Sequence, residues 1–283
     1  MHIPSQNLLN IQLNTSSAGK TNNTETNCAG PGPAAREERA KVPNLMVANV
    51  MSLAPKIDEV SEFVYRKEVD LVFITESWLK EHIADGVVDI PGFTVVRHDR
   101  KERMHGGVCA YIREGEYRYK HLKDLNCYDE HEGLWLYIRP NRLPRGFSCI
   151  SAAAIYHPPK ADYRSIKEHL FQSLSLVESE YPNCGILVTG DLNRLDISGL
   201  LGHFRLKKIV KVPTRKDATL DLILTNMHEH YSAPQAFPPF GLSDHNTVMA
   251  TALHGKRNNN SKNHKAGLAG QLQGRNGEVS KSL

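Results

Sequence analysis

The sequence predicts an α/β fold in which mixed β-sheets are enclosed by helices, and two observations support this prediction. First, nine strand-like runs fall within residues 44–253, and several of them are apolar throughout instead of alternating. A strand without alternation is typical of a sheet that is covered on both faces. Second, amphipathic helical segments lie between some of the strands, as expected when helices cover a sheet.

The predicted strands, in chain order, are 44–50, 70–75, 93–97, 107–113, 134–138, 148–156, 185–190, 220–225 and 247–253. Between the first two strands, a helix is predicted behind Pro55, because proline is favoured in the first turn of a helix. Its apolar face is formed by Ile57, Val60, Phe63 and Val64.

A second helix is predicted between the sixth and seventh strands, where Asp162 can cap its first turn. Its inward face is formed by Ile166, Leu170, Leu174 and Val177. A third, shorter helix is expected near 196–204.

We assign residues 44–253 to one globular domain, because the two ends of the chain differ from it in composition. Residues 1–43 are rich in Asn, Ser, Thr, Gly and Pro, and residues 254–283 in Lys, Asn, Gly and Ser. Both segments are predicted to be disordered tails, and the C-terminal one is basic. The tails carry the excess positive charge: of the overall +4, about −2 remains for the domain. A polyanion would therefore have to be bound by local groups of basic residues.

The cysteines and the apolar runs favour an intracellular protein that is not secreted. The chain has five cysteines and no CxxC pair, which fits a reducing compartment. No apolar run approaches the roughly 20 residues of a membrane helix, and the N-terminus lacks the apolar segment of a signal peptide.

Three groups of basic residues could contact a polyanion, although a solvated charged surface is the commoner explanation for any one group. They are Arg97, Arg100, Lys101 and Arg103; Arg139, Arg142 and Arg145; and Lys207, Lys208, Lys211, Arg215 and Lys216.

Polar residues stand at the ends of six predicted strands. They are Asn49, Glu76, Tyr156, Asp191 with Asn193, Asp221, and Asp244 with His245. Taken singly, most of them suit an ordinary turn. In α/β sheets, however, strand ends converge on one edge, where ligands bind.

Glu76 is the hardest of these residues to explain as a turn. It follows the apolar run LVFIT, where an ionised carboxylate is costly unless it is paired. A hard divalent cation such as Mg²⁺ is a natural partner, with Asp191, Asn49 or Asp244 as further oxygen donors. His245 suits proton transfer or charge stabilisation, and Asp221 could hold its ring. The residues thus predict metal-assisted phosphoryl chemistry, whereas GLSDHN lacks the GxSxG pattern of a serine nucleophile.

The same motifs, in this order, resemble those of the endonuclease/exonuclease/phosphatase superfamily. They are Asn49, TES, YHPP, GDLN, TLDLILTN and SDHN, and they span roughly 44–253. Within the superfamily, ITESWL, YHPP and PTR followed by LDLILTN are most similar to the endonuclease domain of non-LTR (LINE-type) retrotransposons. An inositol polyphosphate 5-phosphatase would carry a PAWCDR-like segment in place of TLDLIL. An abasic-site endonuclease would share nearly all of the catalytic residues and stays open.

The resemblance implies a four-layer α/β sandwich, with two mixed β-sheets packed face to face and flanked by helices. It also implies hydrolysis of a DNA phosphodiester that leaves a 3′-hydroxyl, with Mg²⁺ as the cofactor and Mn²⁺ as an alternative. A protein acting on chromosomal DNA would be expected in the nucleus. The sequence leaves the oligomeric state open.

Roles carried over from the superfamily place Glu76 as the main metal ligand, with Asn49 and Asp244 nearby. Asp191 would orient or deprotonate the attacking water, and His245 would stabilise charge or act as the base. The remaining implied roles are Asn193 on the phosphate, Tyr156 on a phosphate oxygen or the leaving group, Asp221 orienting His245, Ser243 bracing its loop, and Thr214 and Arg215 contacting substrate. Target choice is expected to reside in the loops 98–106, 139–147 and 227–241.

Two departures from the superfamily pattern stand out: His157 replaces a common Arg in YHPP, and HGGV at 105–108 has two glycines where three are common. No reverse transcriptase follows residue 253, so we expect a domain fragment or a host gene derived from an element. The alternatives to an active endonuclease are a catalytically idle, nucleic-acid-binding relic and a phosphatase or phosphodiesterase acting on small molecules or lipids.

Overall fold

The computed structural model describes residues 42–101, 104–127 and 131–253. Their strands are β1 (Leu45–Asn49), β2 (Leu71–Thr75), β3 (Phe93–His98), β4 (Val108–Arg113), β5 (Tyr117–His121), β6 (Glu132–Pro140), β7 (Ile150–Tyr156), β8 (Gly185–Asp191), β9 (Lys207–Lys208), β10 (Asp221–Thr225), β11 (Gln235–Phe237) and β12 (Thr247–Ala250). The α-helices are α1 (Ile57–Arg66), α2 (Tyr163–Glu180) and α3 (Ser198–His203). Short 3-10 helices span Ala54–Lys56, Asp85–Val88, Lys123–Leu125 and His228–His230.

The strands form two six-stranded sheets, and both are mixed, as predicted. The first sheet has the order β11-β12-β1-β2-β4-β3, and the second has the order β5-β6-β7-β8-β10-β9. Each sheet contains one parallel pair, β1 with β2 and β7 with β8, while the remaining neighbours are antiparallel.

Three apolar clusters separate four layers, which confirms the predicted α/β sandwich. The central cluster packs the inner faces of the sheets together, with Phe73 from β2 and Leu187 from β8 among its members. Phe63 of α1 belongs to a second cluster with residues of the first sheet. Residues of α2 and α3 cover the outer face of the second sheet around Trp135. Both faces of each sheet are thus covered by apolar side chains at the centre, which explains why these strands appear in the sequence as continuous apolar runs.

All nine predicted strands and the three predicted helices are present. The side chain of Asp162 accepts hydrogen bonds from the backbone amides of Arg164 and Ser165, so it caps α2 as expected. The sequence missed β5, β9 and β11, which are short or largely exposed. It also placed Val42 and Pro43 in a tail, whereas both are buried. The other predicted tail residues, 1–41 and 254–283, lie outside the described residues.

Strand direction decides which loops can meet. The parallel strands β1, β2, β7 and β8 end on one side of the sandwich, which we call the carboxyl edge. The antiparallel strands β4, β6, β10 and β12 begin there, since Thr75 pairs with Val108, Tyr156 with Glu132, and Asp191 with Asp221. The carboxyl edge therefore gathers both the residues that end the parallel strands and those that open the antiparallel ones.

Candidate active site

Asn49 joins the two sheets at the carboxyl edge. Its side-chain amide donates to Glu76 Oε1 at 3.0 Å and to Asp191 Oδ2 at 3.0 Å. The first contact stays within the first sheet, and the second crosses to the other sheet. Asn49 thereby brings together two carboxylates that are 115 positions apart in the sequence.

Backbone hydrogen bonds hold Glu76 and the two residues after it in position. Its carbonyl accepts from the amide of Ser52, and the next two residues, Ser77 and Trp78, donate to the carbonyls of Gly107 and Gly106. Glu76 and Trp78 both have positive φ angles, 51° and 53°. A left-handed conformation is strained for residues other than glycine and is often found at functional sites. The indole of Trp78 also lies 3.3 Å from Glu76 Oε2, which fixes the carboxylate.

Asp191 is the most perturbed carboxylate of the site. Burial, together with the negative charge of Asp221, raises the pKa of Asp191, against the lowering effects of His245 and of hydrogen bonds from Asn49 and Asn193. The amide of Asn193 donates to Asp191 Oδ1 at 3.0 Å. Asp191 therefore has both oxygens oriented and a greater affinity for a proton than an ordinary aspartate.

His245 and Asp221 form a buried pair. His245 Nδ1 and Asp221 Oδ2 are 2.7 Å apart, and both side chains are almost inaccessible to solvent. Burial lowers the pKa of His245, but the hydrogen bond to Asp221 and its charge outweigh this effect and raise it above the ordinary value. The other ring nitrogen, Nε2, faces Asp191 Oδ2 at 3.9 Å.

Thr214 and Ser243 hold this pair in place through the backbone. Thr214 is fully buried, and its hydroxyl accepts from the amides of Leu220 and Asp221. The Ser243 hydroxyl donates to the carbonyl of Asn49 at 2.6 Å and accepts from the amide of His245. These contacts give both residues a positioning role, and Thr214 has no exposed surface for the substrate contact that we predicted.

Asp244 and Arg215 stand at the rim of the site. Arg215 Nη2 contacts Asp244 Oδ2 at 2.5 Å, and both side chains are 40% or more exposed. Asp244 Oδ1 lies 3.8 Å from His245 Nε2. Asp244 is thus close to the site, but it is ion-paired with a residue that we had assigned to the substrate.

Tyr156 and Asn193 complete the set. The Tyr156 hydroxyl hydrogen-bonds to Glu76, and burial, reinforced by the charge of Glu76, raises the pKa of Tyr156. The amide side chain of Asn193 donates to the carbonyl of His157 at 2.7 Å. The ring of His157 is fully buried and packs against Tyr163. His157, the residue that replaces a common Arg of the superfamily pattern, therefore has no exposed surface in this arrangement.

Glu132, which the sequence motifs did not indicate, opens β6 opposite Tyr156. Its carboxylate contacts Arg100 Nε at 2.9 Å and accepts from the amide of Gly107 at 2.5 Å. Burial raises the pKa of Glu132 to about 7, against the lowering effect of Arg100. An acidic residue just ahead of an apolar strand, as at Asp221, was the signal available in the sequence.

Two of the basic residues that could contact a polyanion, Arg97 and Arg100, form ion pairs within the protein. The guanidinium of Arg97 is satisfied by Asp85, Asp99 and two backbone carbonyls, and its side chain is 11% exposed. The Arg100 side chain is equally buried against Glu132. Arg97 thus links β3 to the segment 80–85 that precedes it and to Asp99, and Arg100 links the β3–β4 loop to the start of β6.

The predicted specificity loops also divide between the two edges. The loop containing 98–106 joins β3 to β4 at the carboxyl edge, as expected. Residues 139–147 connect the end of β6 to the start of β7, at the opposite edge, and 227–234 follow the end of β10 there. Only the later part of the third loop, after β11, returns towards Asp244. The direction of the flanking strands, which the residue pattern does not reveal, places these loops at opposite edges.

The site has the donor set for a divalent cation. Asp191, Asp221 and His245 offer ligand atoms that lie within 4.8 Å of one another. Asn49 Oδ1 is buried, and no hydrogen bond to it is made by the described residues. Beside it stands the Glu76 carboxylate, so this corner offers the oxygen donors that hard cations prefer.

A helix must be long and apolar to span a membrane. No helix in the described ranges has the length and apolarity to cross a bilayer.

Two mixed sheets enclosed by helices make the four-layer α/β sandwich that the sequence motifs imply. No protein-family model and no curated protein sequence matches the chain. Several solved structures, however, match its fold.

The AP endonuclease LMAP from Leishmania major superposes with a TM-score of 0.60 at 15% identity, over 74% of this chain and 86% of that one. The endonuclease domain of TRAS1, a telomere-specific non-LTR retrotransposon, gives 0.57 at 14% identity, over 75% and 98%. The 3′ phosphatase NExo from Neisseria, bound to a product DNA hairpin, gives 0.51 at 14%, over 75% and 99%. These likenesses establish the fold that the motifs predicted.

Proposed function

We propose that this chain is a divalent-metal-dependent DNA endonuclease that nicks one strand, leaves a 3′-hydroxyl, and derives from a non-LTR retrotransposon. The observation that carries the proposal is the buried constellation at the carboxyl edge. There, Asn49 connects Glu76 to Asp191, and Asp191 faces the His245–Asp221 pair. A structural role alone would not call for three carboxylates, two of them buried, to converge on one corner, because their mutual repulsion is unfavourable.

Glu76 and Asn49 Oδ1 are the groups that would hold the cation, with Asp244 able to join them if it leaves Arg215. All three are oxygen donors, which suits Mg²⁺, and Mn²⁺ accepts the same ligands. When bound, the cation supplies positive charge to the phosphate that is attacked. The fit rests on an unsatisfied buried amide oxygen beside a carboxylate.

Asp191 is the group best suited to accept a proton from the attacking water. Its raised pKa makes it a stronger base than an exposed aspartate, and its Oδ2 atom faces His245 across 3.9 Å. A water that bonded to Oδ2 would be oriented by the same atom that receives its proton. This assignment gives Asp191 the role of base, one of the two roles that the sequence left open.

His245 then serves as a cation. Asp221 raises its pKa, so the ring is more often protonated near neutral pH than an isolated histidine. A fixed positive charge at Nε2 would stabilise the negative charge that develops on the phosphoryl oxygens. Tyr156 would donate a hydrogen bond to the same region, and Asn193 would orient Asp191 through its backbone amide.

Two observations favour DNA as the substrate: the retrotransposon-like motifs, and the DNA-related descriptions of solved structures with a similar fold. One of these is an AP endonuclease, one is a retrotransposon endonuclease domain, and one holds a DNA hairpin. At the rim, the rings of Trp78 and His105 pack at a centroid distance of 4.3 Å and a tilt of 40°, which places aromatic surface beside the site. Arg215 is the basic residue placed to meet a phosphate, in exchange for its contact with Asp244.

A plasmid-nicking assay tests the proposal. Supercoiled plasmid is incubated with the full chain and Mg²⁺, Mn²⁺ or EDTA, and the nicked ends are mapped by primer extension after ligase or phosphatase treatment. We expect metal-dependent nicks with 3′-hydroxyl ends. The variants Glu76→Gln and His245→Ala should be inactive, while Glu178→Gln, an isosteric change on the exposed face of α2, should match the wild type.

Three other results would point elsewhere. Cleavage confined to plasmid containing abasic sites would make the chain an abasic-site endonuclease. Turnover of inositol phosphates or sphingomyelin without nicking would make it a small-molecule or lipid phosphodiesterase. DNA binding in EDTA, with a steep salt dependence and no cleavage with any metal, would identify the idle relic.

A further inference from the structure

A second group of metal-ligating side chains lies outside the candidate active site. Cys127, His131 and His169 offer one sulfur and two nitrogen atoms, and these atoms lie within 4.8 Å of one another. None of the three belongs to the constellation around Asp191. They were not singled out from the sequence, because 38 positions separate His131 from His169.

The fold brings the three residues together on the outer face of the second sheet. Cys127 lies just before β6, where it makes an antiparallel bridge with Gly133, and His131 immediately precedes β6. His169 projects from α2, which covers this face of the sheet, and its ring lies 5.7 Å from the ring of His131. The three donor side chains, from α2 and from the residues just before β6, therefore lie close together.

Gly133 leaves the space in which these donor atoms meet. A Cβ atom at this position would stand 2.8 Å from Cys127 Sγ and 3.6 Å from His169 Nε2. The Nε2 atom of His169 is buried, and no hydrogen-bond partner for it is present in the described part of the chain. A buried imidazole nitrogen without a partner is costly, and this one lies beside a thiol and a second imidazole.

We propose that Cys127, His131 and His169 bind a Zn²⁺ ion, with a water molecule as the fourth ligand. A thiolate with two imidazoles is a donor set that selects Zn²⁺ over Mg²⁺, which prefers oxygen. In a tetrahedral site with Zn–S near 2.3 Å and Zn–N near 2.0–2.1 Å, ligand atoms stand roughly 3.3–3.6 Å apart. The present separations reach that range after side-chain shifts of about 1 Å or less.

The ion would brace the wall of the candidate active site. His131 precedes Glu132, whose carboxylate holds the amide of Gly107 and the side chain of Arg100. A metal ion bound by both His131 and His169 would hold the start of β6 against α2. Its role is therefore structural, and the inference does not rest on the proposed nuclease activity.

The two sites are distinguishable because their donors differ. Around Asp191, oxygen atoms predominate, whereas only the second cluster contains sulfur. Cobalt(II) bound to a thiolate gives an intense charge-transfer absorption in the near ultraviolet, and cobalt bound to oxygen and nitrogen alone does not. Optical spectra with Co²⁺ therefore report on this cluster separately.

The test is made on the untagged full chain. We expect about one equivalent of zinc per chain by elemental analysis after dialysis, and a thiolate-to-cobalt band after exchange with Co²⁺. Cys127→Ser and His169→Ala should each lose the band and most of the zinc. The matched controls Cys149→Ser, at another buried cysteine, and His203→Ala, at an exposed histidine of α3, should keep both.

Circular dichroism shows whether each variant is folded. If Cys127→Ser fails to fold, the wild-type chain and His169→Ala still test the proposal, because the zinc content and the thiolate-to-cobalt band are measured on each of them directly. A wild-type chain that retains no zinc and gives no thiolate band with Co²⁺ overturns the proposal. So does zinc retention that is unchanged by both cluster variants.

Discussion

Replacing Asp221 by Asn removes a charge from the candidate site while it keeps the shape of the side chain. Asp221 Oδ2 lies 2.7 Å from His245 Nδ1, and both residues are buried. A hydrogen bond to a charged group contributes about 1.5–3 kcal/mol. If that contact stabilises the protonated ring in the transition state, its loss lowers kcat roughly 10- to 150-fold.

The pH dependence provides a second, independent signature of the same change. Asp221 raises the pKa of His245, so Asp221→Asn lowers it. A reaction that needs protonated His245 declines as the pH rises through that pKa. The alkaline decline of kcat should therefore begin at a lower pH in the variant than in the wild type.

Nicking rates measured with saturating Mg²⁺ between pH 5 and 9 give both quantities. The control is Asp70→Asn, at the opposite edge, where Asp70 contacts Arg113 and the amide of Asn44. This change should destabilise the fold by roughly 1–3 kcal/mol but leave kcat of the folded protein unaltered. The reasoning is refuted if Asp221→Asn keeps kcat within about threefold of the wild type and leaves the alkaline decline in place.

Three further changes test other parts of the structure. Asn49→Ala should raise the Mg²⁺ concentration needed for half-maximal nicking by about tenfold or more, since it removes a metal-facing oxygen and frees Glu76; an unchanged metal titration would contradict this. Gly107→Ala should lower the free energy of unfolding by about 1–3 kcal/mol in a denaturant titration, because φ is +85° and the new Cβ would meet Ser77 Oγ at 2.6 Å; unaltered stability would disprove the close contact. Asp162→Ala should cost about 1 kcal/mol of stability by removing the cap of α2, with nicking by the folded enzyme unaffected, and a specific loss of kcat would show that this helix end matters to the site.

The sequence was most informative where one element carries its own signal. Most of the nine apolar runs became strands whose side chains are buried on both faces of a sheet, and Asp162 marked the beginning of a helix. The missed strands have no such signal. β5 has three exposed residues in its centre, while β9 and β11 have two and three residues. Their place is fixed by backbone pairing with a neighbouring strand, which any residue type can provide.

By itself, then, the sequence determined the fold class and the residues that stand at strand ends, since burial and turn chemistry act over a few neighbouring positions. Only the tertiary structure decided which strand ends meet. It placed Asn49 between Glu76 and Asp191, paired Arg97 of β3 with Asp85 and Asp99, and put the loop 139–147 at the opposite edge. The physical reason is that strand order and direction depend on pairing between distant segments, and a local pattern of residues does not encode the partner.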